Sequence, residues 1–426
     1  MELLRALDQF LAENVHGVSI DARAVMGHVA RPASFHGASA DRGTGDSTVL
    51  FTPGPPPEPL YLDVSTFKVA LDNALKDVVA GYVAQLRQSG KVLFTNTCQY
   101  AKRPQDQSEP WTADVQMHVA SVSKLMTAMA MMVLFRDNNI SPDTRIIDYL
   151  PDYWVKGPNI ERIFFRNLLN HTSGLSANYL VDFEMMKSAI AAGISLDGPG
   201  QHLGNYHYQN LNYGLGRMLL PVINGNIKKN AFFALPPWND ILWDLVTIAS
   251  YDAYLQARVF RPSGVVGATL DHPGACALAY RWPDDKDTGW SSGSLQESCG
   301  CDGWHVSVNQ LLDVMGQFRR GGGILTPAAA QAMLDDGFGV DPLVGNSALP
   351  AAFPTAAGSL YCKPGDWQGP SYHDEQSLAF FLPQDMELAV FVNSMVDDQT
   401  GSDNHFREVV KQTYLDNLTQ PPPLHL

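Results

Sequence analysis

The chain has 426 residues, of which 45% are hydrophobic and 10% aromatic, which suits one large two-lobed domain or two domains with a sizeable core. Acidic residues outnumber basic ones by 44 to 29, for a net charge of −15. Because no cluster of lysine and arginine stands out, nucleic acid is disfavoured as a partner. No apolar run is long enough to span a bilayer, so we expect no membrane association.

The amino terminus has no basic segment followed by an unbroken apolar stretch, so we interpret it as lacking a secretion signal and expect a cytoplasmic protein. The five cysteines are too few and too scattered to indicate a disulfide framework. Cys299 and Cys301 form the one close pair, and ligands that would complete a metal site with them do not follow at matching spacing. We therefore expect neither a metal nor an organic cofactor.

The first sixty residues are predicted to form an extension of the main domain. Residues 2–14 place apolar side chains at helical spacing. Residues 52–59 are rich in proline, which is typical of a stiff linker. Three roles remain open for the extension: wrapping the domain, mediating dimerisation, or staying disordered. The oligomeric state also remains open.

The rest of the chain is predicted to hold helices and strands in a mixed order. The predicted helices are 65–79, 121–135, 213–223, 238–259, 306–318 and 403–417, and the predicted strands are 81–88, 91–97, 377–382 and 386–394. This order predicts an α/β (α+β) fold, in which both chain ends build an antiparallel sheet and a helical lobe is inserted. We place the domain at 61–418, its sheet lobe at 61–118 and 304–418, its helical lobe at 119–303, and a tail at 419–426.

A Ser-x-x-Lys pattern joins Ser121 to Lys124 at the front of an apolar helical run. Residues three apart share a helix face, so the hydroxyl and the amine are predicted to lie side by side. A buried lysine with a lowered pKa can accept the proton of a serine, which turns the hydroxyl into a nucleophile. Taken alone, the pattern also fits a solvated surface helix.

A second informative stretch contains Tyr208, Gln209 and Asn210, followed by Tyr213. A phenolate held near ammonium groups can act as a general base, and an amide can orient a lysine or a carbonyl group. Packed tyrosines in a loop are the alternative interpretation of this stretch alone.

The order of these motifs, with the run Asn-His-Thr-Ser-Gly at 170–174 between them, resembles the serine β-lactamase-related family. That family comprises class C β-lactamases, DD-peptidases, family VIII esterases and related acyltransferases. The resemblance extends over about residues 65–415 and implies a β-lactamase/transpeptidase-like fold. The turn around His171 is structural in the family, so we assign no chemistry to it.

The resemblance implies roles for the individual residues. It makes Ser121 the acylated nucleophile, and Lys124 the group that lowers its pKa and relays a proton. Tyr208 would be the general base for acylation and the general acid toward the leaving group. Asn210 would hold the acyl carbonyl and Lys124. The oxyanion hole would combine the N–H of Ser121 with an N–H from a strand.

The family's third motif, Lys-Thr-Gly or His-x-Gly, is matched by Lys363, Pro364 and Gly365, where proline replaces threonine. Proline is tolerated on an edge strand. Because the missing hydroxyl would grip the carboxylate of a β-lactam or peptide, such substrates are disfavoured. Lys363 can still supply positive charge near Tyr208, and the strand donor to the oxyanion would be the N–H of Asp366. His373 is an alternative residue for this motif.

These interpretations converge on a serine hydrolase that forms an acyl-enzyme with a small-molecule ester, amide or lactam, and we favour an esterase of small or medium acyl esters. The first alternative is a biosynthetic acyltransferase, followed by a β-lactamase or DD-peptidase, and then by an inactive binding protein. Aromatic residues of the 224–237 insertion, Phe232 and Phe233, with Trp238 after it, are candidates for covering the pocket.

Overall fold

The computed structural model describes residues 2–28, 59–176, 181–235, 237–343, 349–396 and 405–420. The α-helices in these ranges are α1 (Glu2–Asn14), α2 (Ala22–His28), α3 (Val64–Leu75), α4 (Ser123–Asn138), α5 (Phe165–Leu169), α6 (Phe183–Ala192), α7 (Asn210–Ile223), α8 (Trp238–Leu255), α9 (Val308–Gly316), α10 (Pro327–Asp335) and α11 (His405–Asp416). The strands are β1 (Tyr61–Leu62), β2 (Gly81–Gln88), β3 (Lys91–Lys102), β4 (Glu109–Pro110), β5 (Gln116–His118), β6 (His305–Ser307), β7 (Phe353–Thr355), β8 (Gly358–Gln368), β9 (Asp374–Leu382), β10 (Met386–Val392) and β11 (Leu418–Thr419).

A seven-stranded antiparallel sheet runs in the order β4-β3-β2-β10-β9-β8-β7 among the described residues. Its centre joins the two chain ends, because β10 pairs with β2 on one side and with β9 on the other. The prediction of an antiparallel sheet built from both ends is therefore confirmed. The smaller pair β5–β6 brings the segment before Ser121 beside residues 305–307.

Hydrophobic packing covers both faces of this sheet. Side chains two apart on a strand share a face, so Tyr82, Ala84 and Leu86 of β2 pack with α3 and α11. Val83, between them, faces the opposite way and joins the core shared with the helical lobe. This second core is the one that contains α4.

Helix α4 is buried on every side: Leu125, Met126 and Met129 are all fully enclosed. A helix that is apolar all round belongs in the interior of a large domain. The polar side chains of its first turns, including Lys124 and Thr127, are fully buried as well, so each needs a partner inside the protein. No helix in the described part of the chain is long and apolar enough to cross a bilayer.

The amino-terminal segment packs on the helical lobe. Leu7, Phe10 and Leu11 of α1 are buried in the same core as α4, and the ring centroids of Phe10 and Phe233 are 5.5 Å apart. Of the three roles considered for the extension, this packing favours wrapping of the domain by residues 2–26. The proline-rich stretch at 52–58 lies outside the described residues.

The insertion at 224–237 meets this segment. The Asn226 carbonyl accepts a hydrogen bond from the backbone N–H of His16 at 2.8 Å. The rings of Phe232 and Tyr153 have centroids 5.9 Å apart. Because Phe232 and Phe233 are engaged in these contacts, the structure gives no support to the expectation that they cover the reactive serine.

Candidate active site

Ser121 lies in a 3₁₀ turn, Ala120–Val122, that leads directly into α4. The sequence predicted a helix beginning at residue 121, whereas the α-helix begins at Ser123 because the turn precedes it. Ala120 adopts a left-handed backbone with φ of +44°, and the Ser377 hydroxyl donates to the Val119 carbonyl at 2.7 Å. These constraints fix the backbone before Ser121, whose side chain is partly exposed.

Lys124 is fully buried beneath Ser121. Its ammonium group donates to Ser121 Oγ at 2.8 Å and to the carbonyl oxygen of Cys301 at 2.7 Å. Burial is the main cause that lowers the pKa of Lys124 below its ordinary value, since a charged amine is poorly solvated there. The Ser-x-x-Lys spacing thus places the lysine nitrogen beside the serine hydroxyl, as predicted.

Tyr208 is the second side chain that contacts the Ser121 hydroxyl. Its hydroxyl donates to Ser121 Oγ at 2.7 Å. The ammonium nitrogens of Lys363 and Lys124 lie 4.7 and 5.1 Å from the centroid of its ring. Burial raises the pKa of Tyr208 to about 12, although the charge of Lys363 acts in the lowering direction. The phenol is therefore protonated at neutral pH.

His171 supports the ring of Tyr208. The two ring centroids are 4.5 Å apart with an interplanar angle of 33°, and the backbone N–H of Gln209 donates to His171 Nδ1 at 3.2 Å. Burial, followed by the charges of Lys363 and Lys124, holds the pKa of His171 well below its ordinary value. A neutral imidazole stacked on the phenol fits the structural role that the sequence analysis gave to this turn.

Asn210 begins α7, three residues earlier than the helix predicted at 213–223. Its Oδ1 atom is buried and has no hydrogen-bond partner in the described part of the protein. The expectation that Asn210 holds Lys124 needs correction, because the Cys301 carbonyl takes the place of the amide oxygen. This amide oxygen at the front of α7 remains a candidate for contact with a substrate.

Lys363, on β8, is buried with 1% of its side chain exposed. Its ammonium nitrogen lies 2.6 Å from Asp341 Oδ1, besides facing the ring of Tyr208. The backbone N–H of Asp341 also donates to the carbonyl of Cys362 at 2.9 Å. Asp341 is thus attached to β8 through both its backbone and its side chain, and sequence analysis did not anticipate it.

Strand β8 lies directly against the serine turn. A Cβ atom at Gly365 would lie 2.4 Å from the Val119 carbonyl oxygen and 3.1 Å from the Ser121 nitrogen, so glycine permits the close approach. The Cys362 carbonyl accepts from Asp341, so it points to the edge of β8 that lies away from β9. In a strand, the N–H and carbonyl of one residue point to the same edge, and so do those of residues two positions apart. The N–H of Asp366 therefore points to that edge, and Pro364 sits where a missing N–H costs no bond to β9.

The side chain of Asp366 interacts with the buried carboxyl of Asp374 on β9. Burial and the neighbouring Asp366 charge raise the pKa of Asp374 well above its ordinary value. His373 contacts the loop at 287–288: its Nε2 atom is 3.0 Å from Asp287 Oδ2 and 3.2 Å from the Thr288 carbonyl. These contacts place Lys363, and not His373, beside Tyr208.

The sequence motifs did not reveal Cys301, Asp341 or Ser377. Cys301 and Ser377 act on the site through hydrogen bonds that involve a main-chain carbonyl, which any residue type supplies. Asp341 is separated from Lys363 by 22 residues and carries no motif of its own. Within the described residues, no three His, Cys, Asp or Glu side chains are grouped so that they could hold a metal ion.

Comparison with known proteins finds a family model and a curated relative that match parts of the chain. Residues 70–228 match the family model described as Beta-lactamase. PbpX of Bacillus subtilis (strain 168), classed by its name with the penicillin-binding proteins, is 22% identical over 221 residues, which are 51% of this chain and 49% of PbpX. The match thus spans about half the length of that relative.

Solved structures share the fold. A class C β-lactamase from Rhodobacter sphaeroides is 16% identical with a TM-score of 0.58, over 83% of this chain and 99% of the other. EstCE1, described as a hydrolase with promiscuous acyltransferase activity, is 16% identical with a TM-score of 0.56, over 83% and 99%.

The fold is that of the β-lactamases and transpeptidases, and the matched segment contains the serine, the lysine and the tyrosine. The match to the Beta-lactamase family model covers less than half of the chain, and it shows a likeness to that family over residues 70–228.

Proposed function

We propose that the protein is an esterase of small or medium acyl esters that works through a Ser121 acyl-enzyme. The observation that carries this proposal is the double hydrogen bond at Ser121 Oγ, at 2.8 Å from Lys124 Nζ and 2.7 Å from Tyr208 Oη. A partly exposed hydroxyl between a buried amine and a phenol has both a proton acceptor and a proton donor within reach.

The directions of the two pKa shifts suggest how the proton moves. The pKa of Lys124 is lowered and that of Tyr208 is raised to about 12, so the amine loses its proton at a lower pH than free lysine does, while the phenol keeps its own. We therefore assign proton acceptance from Ser121 to Lys124, and proton donation to Tyr208. The sequence resemblance made Tyr208 the general base for acylation, and this proposal gives that role to Lys124 instead.

Acylation then balances as follows. Ser121 Oγ bonds to the acyl carbon while its proton passes to Lys124, and the bond to the leaving alcohol breaks as Tyr208 protonates the alcohol oxygen. The resulting phenolate lies between the ammonium groups of Lys124 and Lys363 and regains its proton from Lys124. Water repeats these steps on the acyl-enzyme, which releases the acid.

The N–H groups of Ser121 and Asp366 would stabilise the oxyanion during both halves of the reaction. Donors of this kind typically contribute about 3–4 kcal/mol each to lowering the barrier. Asn210, with its unpartnered amide, would orient the acyl group.

Labelling with a fluorophosphonate probe, followed by peptide mass spectrometry, tests the nucleophile. We expect the adduct on Ser121, and an unlabelled Ser121 in folded protein would contradict the enzyme proposal in favour of an inactive binding protein. Turnover of 4-nitrophenyl butyrate should exceed turnover of a chromogenic cephalosporin. Transfer of the butyryl group to an added alcohol in preference to water would favour the acyltransferase alternative.

A further inference from the structure

The ion pair of Lys363 and Asp341 constrains which acyl groups can bind beside Ser121. This inference rests on the esterase proposal above. Lys363 is the cation of β8 that faces Tyr208, yet its ammonium nitrogen is 2.6 Å from Asp341 Oδ1. Only 1% of the Lys363 side chain is exposed, against 13% for Asp341. The carboxylate is thus the more accessible member of the pair.

The backbone locks this pair in place. The N–H of Asp341 donates to Cys362, the residue that precedes Lys363, at 2.9 Å. A side chain held this way does not swing aside at the low cost of a surface ion pair. Separating a buried pair leaves one charge without compensation, which is strongly unfavourable.

An incoming carboxylate therefore finds no available cation at this strand. It would have to replace Asp341 at Lys363, and it would meet the negative charge of Asp341 on approach. The neighbouring Pro364 offers neither a hydroxyl nor an N–H. A neutral acyl group meets none of these obstacles.

We propose that Asp341 is a specificity-determining residue that selects esters whose acyl group carries no carboxylate. The substrate class is then the uncharged acyl ester, and Lys363 serves Tyr208 instead of recognising an anion.

Two substrates that differ by one negative charge and one methyl group test this proposal: 4-nitrophenyl hydrogen adipate, and the same compound with its free carboxyl group as a methyl ester. We expect the wild-type protein to turn over the methyl ester with a kcat/KM at least tenfold higher than the free acid, after subtraction of spontaneous hydrolysis. In Asp341→Asn, Lys363 becomes available to bind the carboxylate of the acid. The ratio of kcat/KM for the methyl ester to kcat/KM for the free acid should therefore fall at least tenfold.

A matched control is Asp240→Asn, which removes the same charge from the ion pair of Asp240 with Lys187 in the helical lobe. Its ratio should equal that of the wild type. Circular dichroism checks that each variant is folded, and the wild-type ratio decides the matter if Asp341→Asn is not.

Equal turnover of both esters by the wild type, or an unchanged ratio in folded Asp341→Asn, would overturn the specificity role while leaving the esterase proposal intact. Turnover of neither ester would instead contradict the esterase proposal, and the inference with it.

Discussion

The two sides of Ser121 differ in how their polar groups are satisfied. On the helix side, Lys124 and Tyr208 both contact the serine oxygen, and the buried amide oxygen of Asn210 has no partner among the described residues. On the strand side, Lys363 is already paired with Asp341, and Pro364 has no donor to offer. The helix side is prepared for a reaction, whereas the strand side has its charge compensated within the protein.

This difference separates chemistry from recognition. Groups that move protons must stay close to the nucleophile, so their geometry is the same for many acyl substrates. Groups that choose the substrate can change without disturbing that geometry. We infer that Lys124 and Tyr208 carry the proposed reaction, whereas the pairing of Lys363 with Asp341 bears on the choice of substrate.

The largest effect is expected on the helix side, from Ser121→Ala. Ester turnover should fall by about 10⁴-fold or more, because the acyl-enzyme cannot form. The control is Ser123→Ala, two residues along the same segment, whose hydroxyl accepts from the Trp304 backbone N–H at 3.2 Å. That variant should lose stability and keep turnover. Full activity in Ser121→Ala would contradict the proposal that Ser121 is the nucleophile, and with it the contrast between the helix side and the strand side.

Lys124→Met should lower kcat/KM by about 10²–10⁴-fold, the usual contribution of general acid–base catalysis. The wild-type kcat/KM should rise with pH as Lys124 loses its proton, and the midpoint should lie below the ordinary pKa of lysine because burial favours the neutral amine. The variant should lack this rise.

A pH–rate series on Lys124→Met and on Tyr208→Phe sharpens the assignment of roles. If Lys124 is the acceptor, Tyr208→Phe keeps the rise at a lower rate. If the rise is lost in Tyr208→Phe and kept in Lys124→Met, the tyrosine is the base. Lys187→Met, which removes a lysine from the helical lobe, serves as the control.

On the strand side, Gly365→Ala should lower kcat by about 10²-fold. The new Cβ would lie 2.4 Å from the Val119 carbonyl oxygen and 2.5 Å from Ser377 Oγ, so β8 must move away from the serine turn and its oxyanion donor moves with it. Gly274→Ala is the control, because a Cβ there has no neighbour within 4 Å. Equal rates for both variants would show that β8 does not contribute to the oxyanion hole.

The smallest effect on catalysis is expected far from both sides. Leu7→Ala, in α1, should reduce the free energy of unfolding by about 2–4 kcal/mol through the cavity it creates. Denaturant titration measures this loss, and kcat for folded protein should not change. A fall in kcat would mean that the amino-terminal helix also shapes the active site.

Sequence patterns predicted those structural features that residues close together in the chain determine. The spacing of Ser121 and Lys124 gave their contact, and the apolar spacing of residues 2–14 gave α1. Strand patterns near both chain ends predicted the antiparallel sheet, whereas the order of its strands came only from the structure. Tyr208 required the resemblance to a family, because a tyrosine in a loop has no local signature of reactivity.

The remaining features depend on contacts that only the folded chain makes. The Cys301 carbonyl reaches Lys124 across 177 residues of sequence, and no side-chain pattern marks a carbonyl. The ion pair with Asp341 changes how Lys363 is interpreted: its charge is compensated within the protein and is not free to bind an anion. Sequence alone could name Lys363 and could not supply its partner.

The left-handed backbone of Ala120 has a consequence for protein engineering. A non-glycine residue in this conformation costs roughly 1–2 kcal/mol, so Ala120→Gly would relieve strain just before Ser121. It would also widen the range of conformations open to Ser121. Selection for thermal stability alone would therefore retain this substitution. The less ordered Ser121 would, however, lower the turnover of the proposed esterase reaction.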